Sequence, residues 1–187
     1  MALASLSETT EIVSTRSLIT DRRWDIAVKW RFFKHLIHGG DPDSDRIYRW
    51  HIEKRSGRRM RAGVPTDKWK RSLDDYVASA GSLAGSMGMQ GFLPEFAIPI
   101  DPAGELLGGA HRLACALALG LETVPVEQSV NRVWAPAWNE AWFIENGMSA
   151  NDLARLRTDW LTLKGSPNAI LSTDEDLRRT KVQAQSR

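Results

Sequence analysis

Residues 106–120 read LLGGAHRLACALALG, and the fold of the chain turns on them. Leu106 and Leu107 have strand character and run into the pair Gly108-Gly109. From Ala110 onward an alanine- and leucine-rich run with no β-branched residue predicts a helix, stopped at Gly120 where helices favour glycine. The front end carries the chemistry. Glycines let backbone approach a ligand closely, and a helix start presents unpartnered N–H groups with a partial positive charge. His111 and Arg112 fall in that first turn. Gly108, Gly109, Ala110, His111 and Arg112 are therefore a candidate anion site, with phosphate the best-suited anion. The alternative is a tight strand-to-helix turn bearing an exposed arginine.

The flanks fit a small mixed sheet. Residues 96–100 (FAIPI) predict a strand, and Pro99 places it at a sheet edge or a bulge. Asp101-Pro102-Ala103-Gly104 is a turn, so 105–107 would pair back on 96–100 as a hairpin. After Gly120, residues 123–126 (TVPV) form another short strand. Asp101 in the turn is expected to be structural. Helix and strand alternating in this way give an α/β (α+β) class.

Upstream the reading is helical. From Thr20 the apolar residues Trp24, Ala27, Val28, Phe32 and Leu36 fall on one stripe, with Thr20 or Asp21 as cap and Gly39-Gly40 as stop. Asp43 or Ser44 caps a second helix that ends at Gly57, leaving residues 58–61 (RRMR) in a loop. A third helix starts at Thr66, with Trp69, Leu73, Tyr76, Val77 and Ala80 on its apolar face, and breaks in two near Gly81. Downstream, 130–163 returns to helix, with Trp134, Trp138 and Trp142 in its first part and Ser149 capping its second. The expected organisation is an N-terminal arm and helical layer at 1–65 and a core at 66–128. C-terminal helices at 129–165 would pack on that core, and 166–187 would form a flexible tail.

Composition bounds the function classes. With 42% hydrophobic and 26% charged residues, the 187-residue chain is that of a globular protein with a sizeable core. A net charge of +2 does not by itself argue for a nucleic-acid partner. The single cysteine, Cys115, excludes an intrachain disulfide and suits a reducing cytoplasm. It lies in the apolar run, where a thiol is ordinarily inert packing. No apolar run approaches the ~20 residues that span a bilayer, and the N-terminus lacks the regions of a signal peptide. A cytoplasmic location is expected.

The order of elements over 83–126 resembles the ParB/sulfiredoxin superfamily of small α/β domains. A short helix (LAGSMGMQGF) precedes a strand ending in IPID, then come a turn, a second strand, GGAHRLACALALGL and the closing strand TVPV. The resemblance implies that Gly108, Gly109, Ala110, His111 and Arg112 hold nucleotide phosphates. Its branches differ at this turn. Sulfiredoxins carry a cysteine before the His-Arg pair, where this chain has Ala110. Partitioning clamps carry Arg-Arg followed by a helix-turn-helix, which is not evident after Val126. Free serine kinase-like members share the His-Arg turn, though they commonly place an aspartate where this chain has Gly108-Gly109.

The kinase-like branch implies ATP or ADP, Mg²⁺ and an upstream acidic base. Asp67, Asp74 and Asp75 lie in the right region for that base or for a magnesium ligand, and His111 would assist proton transfer. Asp74 and Asp75 point about 100° apart on a helix, so at most one faces a given site. A solvated face paired with Lys70 and Arg71 is the alternative for both. No metal ligand set is assigned, and His35, His38 and His51 lack zinc spacing. A second basic run comprises Arg55, Arg58, Arg59, Arg61, Lys68, Lys70 and Arg71. With Trp50 and Trp69 nearby it is a candidate surface for phosphates of a nucleotide or nucleic acid. The expected function is a nucleotide-binding transferase, a kinase acting on a hydroxyl of a sugar or amino-acid-like metabolite. The competing reading is a ParB-like nucleic-acid-binding or regulatory module without catalysis.

Overall fold

A computed structural model describes residues 10–61, 70–129 and 137–165, with 57–61 as backbone alone. The expected start of the third helix at Thr66, the 65/66 boundary, Trp134 and the tail at 166–187 lie outside these residues. The described chain is mixed α+β, with six α-helices and one three-stranded sheet of order β1-β3-β2.

β3 (Thr123–Gln128) is the central strand, and Val124 and Val126 are buried on its core side. β1 (Thr10–Ser14) pairs with it antiparallel, from Thr10 opposite Glu127 to Ser14 opposite Thr123. β2 (Ile98–Ile100) pairs with it in parallel, Ile98 opposite Val126. Parallel neighbours need a crossover, and α4 (Ala110–Ala118) supplies it. Pro99 sits on an edge strand, as expected. The hairpin is reduced to one bridge, Ile100 with Leu106, because Asp101 Oδ1 accepts from the Ala103 and Glu105 N–H groups and curls the chain tightly.

α4 is bracketed by two left-handed glycines, Gly109 at φ +72° and Gly120 at φ +75°. Its Leu113, Ala114, Cys115 and Ala116 are fully buried. Their main partner is α1 (Asp25–His38), which lies at the centre of the molecule. α1 begins later than expected. Thr20 donates its hydroxyl to Glu105 instead of capping, and the backbone of Arg23 bridges to Trp138 before the helix starts. Nor does α1 bury a single stripe. Ile26, Ala27, Val28, Phe32 and Phe33 are buried along with Asp25 and Lys29, the pattern of a helix enclosed on most sides, whereas Leu36 is exposed.

α2 (Asp43–Arg61) runs through Gly57, so residues 58–61 continue the helix rather than forming a loop. An interior glycine costs a helix only about 1 kcal/mol and stops it only where the chain turns left-handed, which Gly57 does not. α3 (Leu73–Gln90) likewise passes Gly81 unbroken and ends at Gly91, φ +74°. Its start is set by a capping box in which Ser72 accepts from the Asp75 N–H and Asp75 accepts from the Ser72 N–H. In the C-terminal part, Trp138 is extended rather than helical. α5 (Glu140–Glu145) is capped by Asn139 and α6 (Ala150–Leu163) by Ser149. The buried side chains of these elements form one contiguous cluster. No helix among the described residues is long and apolar enough to cross a membrane.

Candidate functional site

The arrangement starts from helical spacing. Asp25 and Lys29 are four residues apart on α1, and Tyr48, His51 and Arg55 follow at intervals of three and four on α2. Each set therefore lies along one helix face. The two faces meet beside the first turn of α4, and they enclose polar groups within the core.

Asp25, fully buried, is the anchor. Arg23 grips it with two parallel bonds, Nε to Oδ1 at 2.8 Å and an Nη to Oδ2 at 3.1 Å. The other Nη donates to the Leu106 carbonyl at 3.0 Å, which ties the start of the glycine turn to the start of α1. Lys29 Nζ donates to Asp25 Oδ2 at 2.5 Å and lies 3.5 Å from His51 Nε2. Burial opposes the Asp25 carboxylate, but Lys29 and Arg23 outweigh it and hold its pKa well below the usual carboxylate range. Burial lowers the Lys29 ammonium to about 8 against the pull of Asp25. Burial, with Lys29 next in weight, pushes His51 well below its ordinary value, so the imidazole is neutral.

His111 opens α4 and sits between aromatic rings, with Phe33 edge-on at 6.4 Å and Tyr76 at 6.5 Å. The Tyr48 hydroxyl lies 2.9 Å from its Nε2, and Tyr48 itself stacks on Phe32 at 4.0 Å. Burial and then the positive charges of Lys29, Arg55 and Lys70 hold His111 far below its usual pKa. Asp25 is the carboxylate that opposes them, and it is already shared by Arg23 and Lys29. The first turn of α4 thus lies near the cations Lys29, Arg55 and Lys70. Gly109 contributes no side-chain cap to it.

Trp138 packs against this cluster. Arg23, Lys29 and Arg55 stand over its ring at 5.2, 5.7 and 5.6 Å, and the His51 ring meets it edge-on at 5.9 Å. Arg55 is also 5.4 Å from the Tyr76 ring, and Lys70 is 4.8 Å from it. Lys29, Tyr48, His51 and Tyr76 are buried, and Arg55, Lys70, His111 and Trp138 are half-buried.

The other expected site residues divide as follows. Gly108, Gly109 and Ala110 are half-buried at the turn. A Cβ on Gly109 would stand 3.2 Å from Ile98 Cγ2, so close packing as well as φ requires glycine there. Arg112 does not lie free at the helix start. Its guanidinium donates to the carbonyls of Phe96 and Ala97, the latter at 2.8 Å, and closes one end of an apolar cleft of about 310 Å³ between α3 and the approach to β2. Asp74 is largely exposed and pairs with Arg49 at 2.7 Å. Asp75 accepts from the Arg71 and Ser72 N–H groups at the start of α3. Each carboxylate is engaged through one oxygen. Asp67 and Lys68 lie outside the described residues, as do the side chains of Arg58, Arg59 and Arg61; Arg71 is exposed. Cys115 is buried and its thiol is pushed up to about 11, so it is not a thiolate.

Arg23, Asp25, Lys29, Tyr48, Tyr76 and Trp138 were not among the expected site residues. The available signal was the recurrence of Tyr48, His51 and Arg55 on one face of a helix with a polar average composition. No family model, no curated protein and no solved structure matches the chain.

Proposed function

We propose that the chain binds the phosphates of a nucleotide, ATP or ADP, at the start of α4 and transfers a phosphoryl group to a hydroxyl of a small metabolite. The observation that carries this reading is the uncapped start of α4, where Tyr48 holds a neutral His111 and the Arg55 guanidinium stands against the same Tyr76 ring as His111. An anion there is stabilised by the backbone N–H groups and helix dipole and by those side chains together. The resemblance to the ParB/sulfiredoxin superfamily at GGAHR supports the same placement.

In the proposed reaction the acceptor oxygen forms a bond to the terminal phosphorus while the bond to the bridging oxygen breaks. The nucleotide leaves with that oxygen, and the acceptor proton passes to His111. The ring is neutral, and the negative charge of the bound phosphates offsets the burial and cations that otherwise oppose its protonation, while Tyr48 holds the ring at 2.9 Å. Among the described residues Asp25 accepts from Arg23 and Lys29, Asp74 Oδ1 from Arg49 and Asp75 Oδ2 from the cap of α3, and no three potential ligands are grouped as a metal site. No step is assigned to the metal.

The test is titration calorimetry of the whole chain with ATP and ADP, followed by His111→Ala. Binding that weakens at least tenfold in the variant supports the reading. Absence of heat with either nucleotide, or unchanged affinity in the variant, overturns it.

A further inference from the structure

Two buried polar atoms of the cluster lack a hydrogen-bond partner, His51 Nδ1 and Arg55 Nε. Both are donors. The Lys29 ammonium has only protons to offer, so His51 Nε2 accepts from it and the ring proton resides on Nδ1. Arg55 Nε always carries a hydrogen. A buried donor without an acceptor costs about 1–3 kcal/mol, and two on successive turns of one helix face call for an acceptor between them. His51 and Arg55 are four residues apart on α2, and both are within 6 Å of the Trp138 ring. Lys29 stands against the same ring, and its one carboxylate partner, Asp25, is shared with Arg23.

We propose that His51 and Arg55, backed by Lys29, form an oxyanion subsite that takes a carboxylate or phosphate group of the acceptor molecule. Trp138 and Tyr76 flank it as aromatic walls, and Arg55, half-buried between those rings, marks its mouth. The inference rests on the reading above only in assigning the oxyanion to the acceptor. It makes the acceptor an anionic hydroxy compound rather than a neutral sugar. A carboxylate or phosphate supplies several lone pairs at once, so a single group can satisfy both orphan donors.

The experiment is nuclear magnetic resonance on the full chain with ¹⁵N-labelled histidine and backbone, titrated separately with inorganic phosphate and with acetate. Arg55→Gln is titrated in parallel. The expected result is a saturable shift of the His51 ring nitrogens by at least one of the two anions, weakened about tenfold or more in Arg55→Gln, the loss of one charge-assisted hydrogen bond. A response to acetate alone identifies a carboxylate subsite, and one to phosphate alone a phosphate subsite. If phosphate shifts the amides of residues 110–112 while neither anion shifts His51, the subsite is overturned and the α4 reading survives. If His51 responds and those amides do not, the subsite stands and the α4 reading fails. Silence from both places overturns both.

Discussion

The hydroxyl of Tyr48 lies 2.9 Å from Nε2 of His111, joining α2 to the first turn of α4 across 63 residues of sequence. The bond fixes the orientation of the ring at the candidate phosphate site. Tyr48→Phe keeps the stack on Phe32 and removes only the hydroxyl. The expected loss is about 1–3 kcal/mol of unfolding free energy, because the histidine nitrogen is left without its protein partner. Urea denaturation measures the loss. The ¹⁵N shifts of the His111 ring report whether its tautomer mixture changes, and constancy of both would show that the contact does not hold the ring.

Asp25 is the counter-charge on which the interior depends. Asp25→Ala leaves Arg23 and Lys29 facing each other in the core, and breaking a buried pair in this way costs about 3–5 kcal/mol. Lys29→Met should cost far less, since Arg23 still satisfies both carboxylate oxygens. Urea midpoints for the two variants give the comparison, and a milder effect for Asp25→Ala would reverse the assignment of roles.

This interior was poorly legible in the sequence, for a physical reason. An acid and a base four residues apart on a helix ordinarily mark a solvated face, and Asp25 and Lys29 carry no local sign that α2 and Trp138 will cover them. The same ambiguity hid Tyr48, His51 and Arg55, whose common face has meaning only once α1 is opposite. What could be read were features with local causes. Gly109 and Gly120 bracket α4 because only glycine takes a left-handed backbone at little cost, Ser149 caps α6, and Asp101 closes its turn. A glycine alone does not mark a helix end. Gly57 and Gly81 stay helical, while Gly91 turns left-handed and ends α3.

His51 and His111 set the acid limb of stability. Burial lowers both His51 and His111 well below the ordinary value near 6.5. Below pH 6.5 the unfolded chain takes up protons that the folded chain refuses, so unfolding free energy falls as pH drops. The contribution is full above about pH 6.5 and is lost toward the lower folded pKa values. Lys29 has the same sign at higher pH. Its folded pKa is about 8 against 10.5 when unfolded, so its neutral form adds stability as pH rises from 8 to 10. Urea midpoints at pH 5, 7 and 9 should increase in that order. His111→Gln should flatten the step between pH 5 and 7, and an unchanged step would place His111 outside the titrating set.

Glycine replacement separates backbone strain from packing. Gly109 and Gly120 have nearly equal φ, yet a Cβ at 109 meets Ile98 at 3.2 Å whereas one at 120 meets nothing within 4 Å. Gly120→Ala should cost about 1–2 kcal/mol for the left-handed backbone alone. Gly109→Ala adds tight contacts with the Ile98 and Arg112 side chains and should cost more. Thermal midpoints that rank the two in the opposite order would show that Ile98 yields freely.

Arg112 tests which groups hold the phosphate. Its guanidinium is committed to the carbonyls of Phe96 and Ala97, fastening α4 to the entrance of β2. Arg112→Met should therefore lower stability by about 1–3 kcal/mol by orphaning those carbonyls. Nucleotide affinity should remain within about threefold of the parent, because the cations that act on His111 are Lys29, Arg55 and Lys70. Arg55→Gln should behave in the opposite way, with little loss of fold and about tenfold weaker binding. Calorimetric affinities and urea midpoints on the same two variants give a four-way comparison. Were Arg112→Met to abolish binding at unchanged stability, the guanidinium would have to swing from the carbonyls onto the ligand, and the phosphate site would be the arginine's rather than the cluster's.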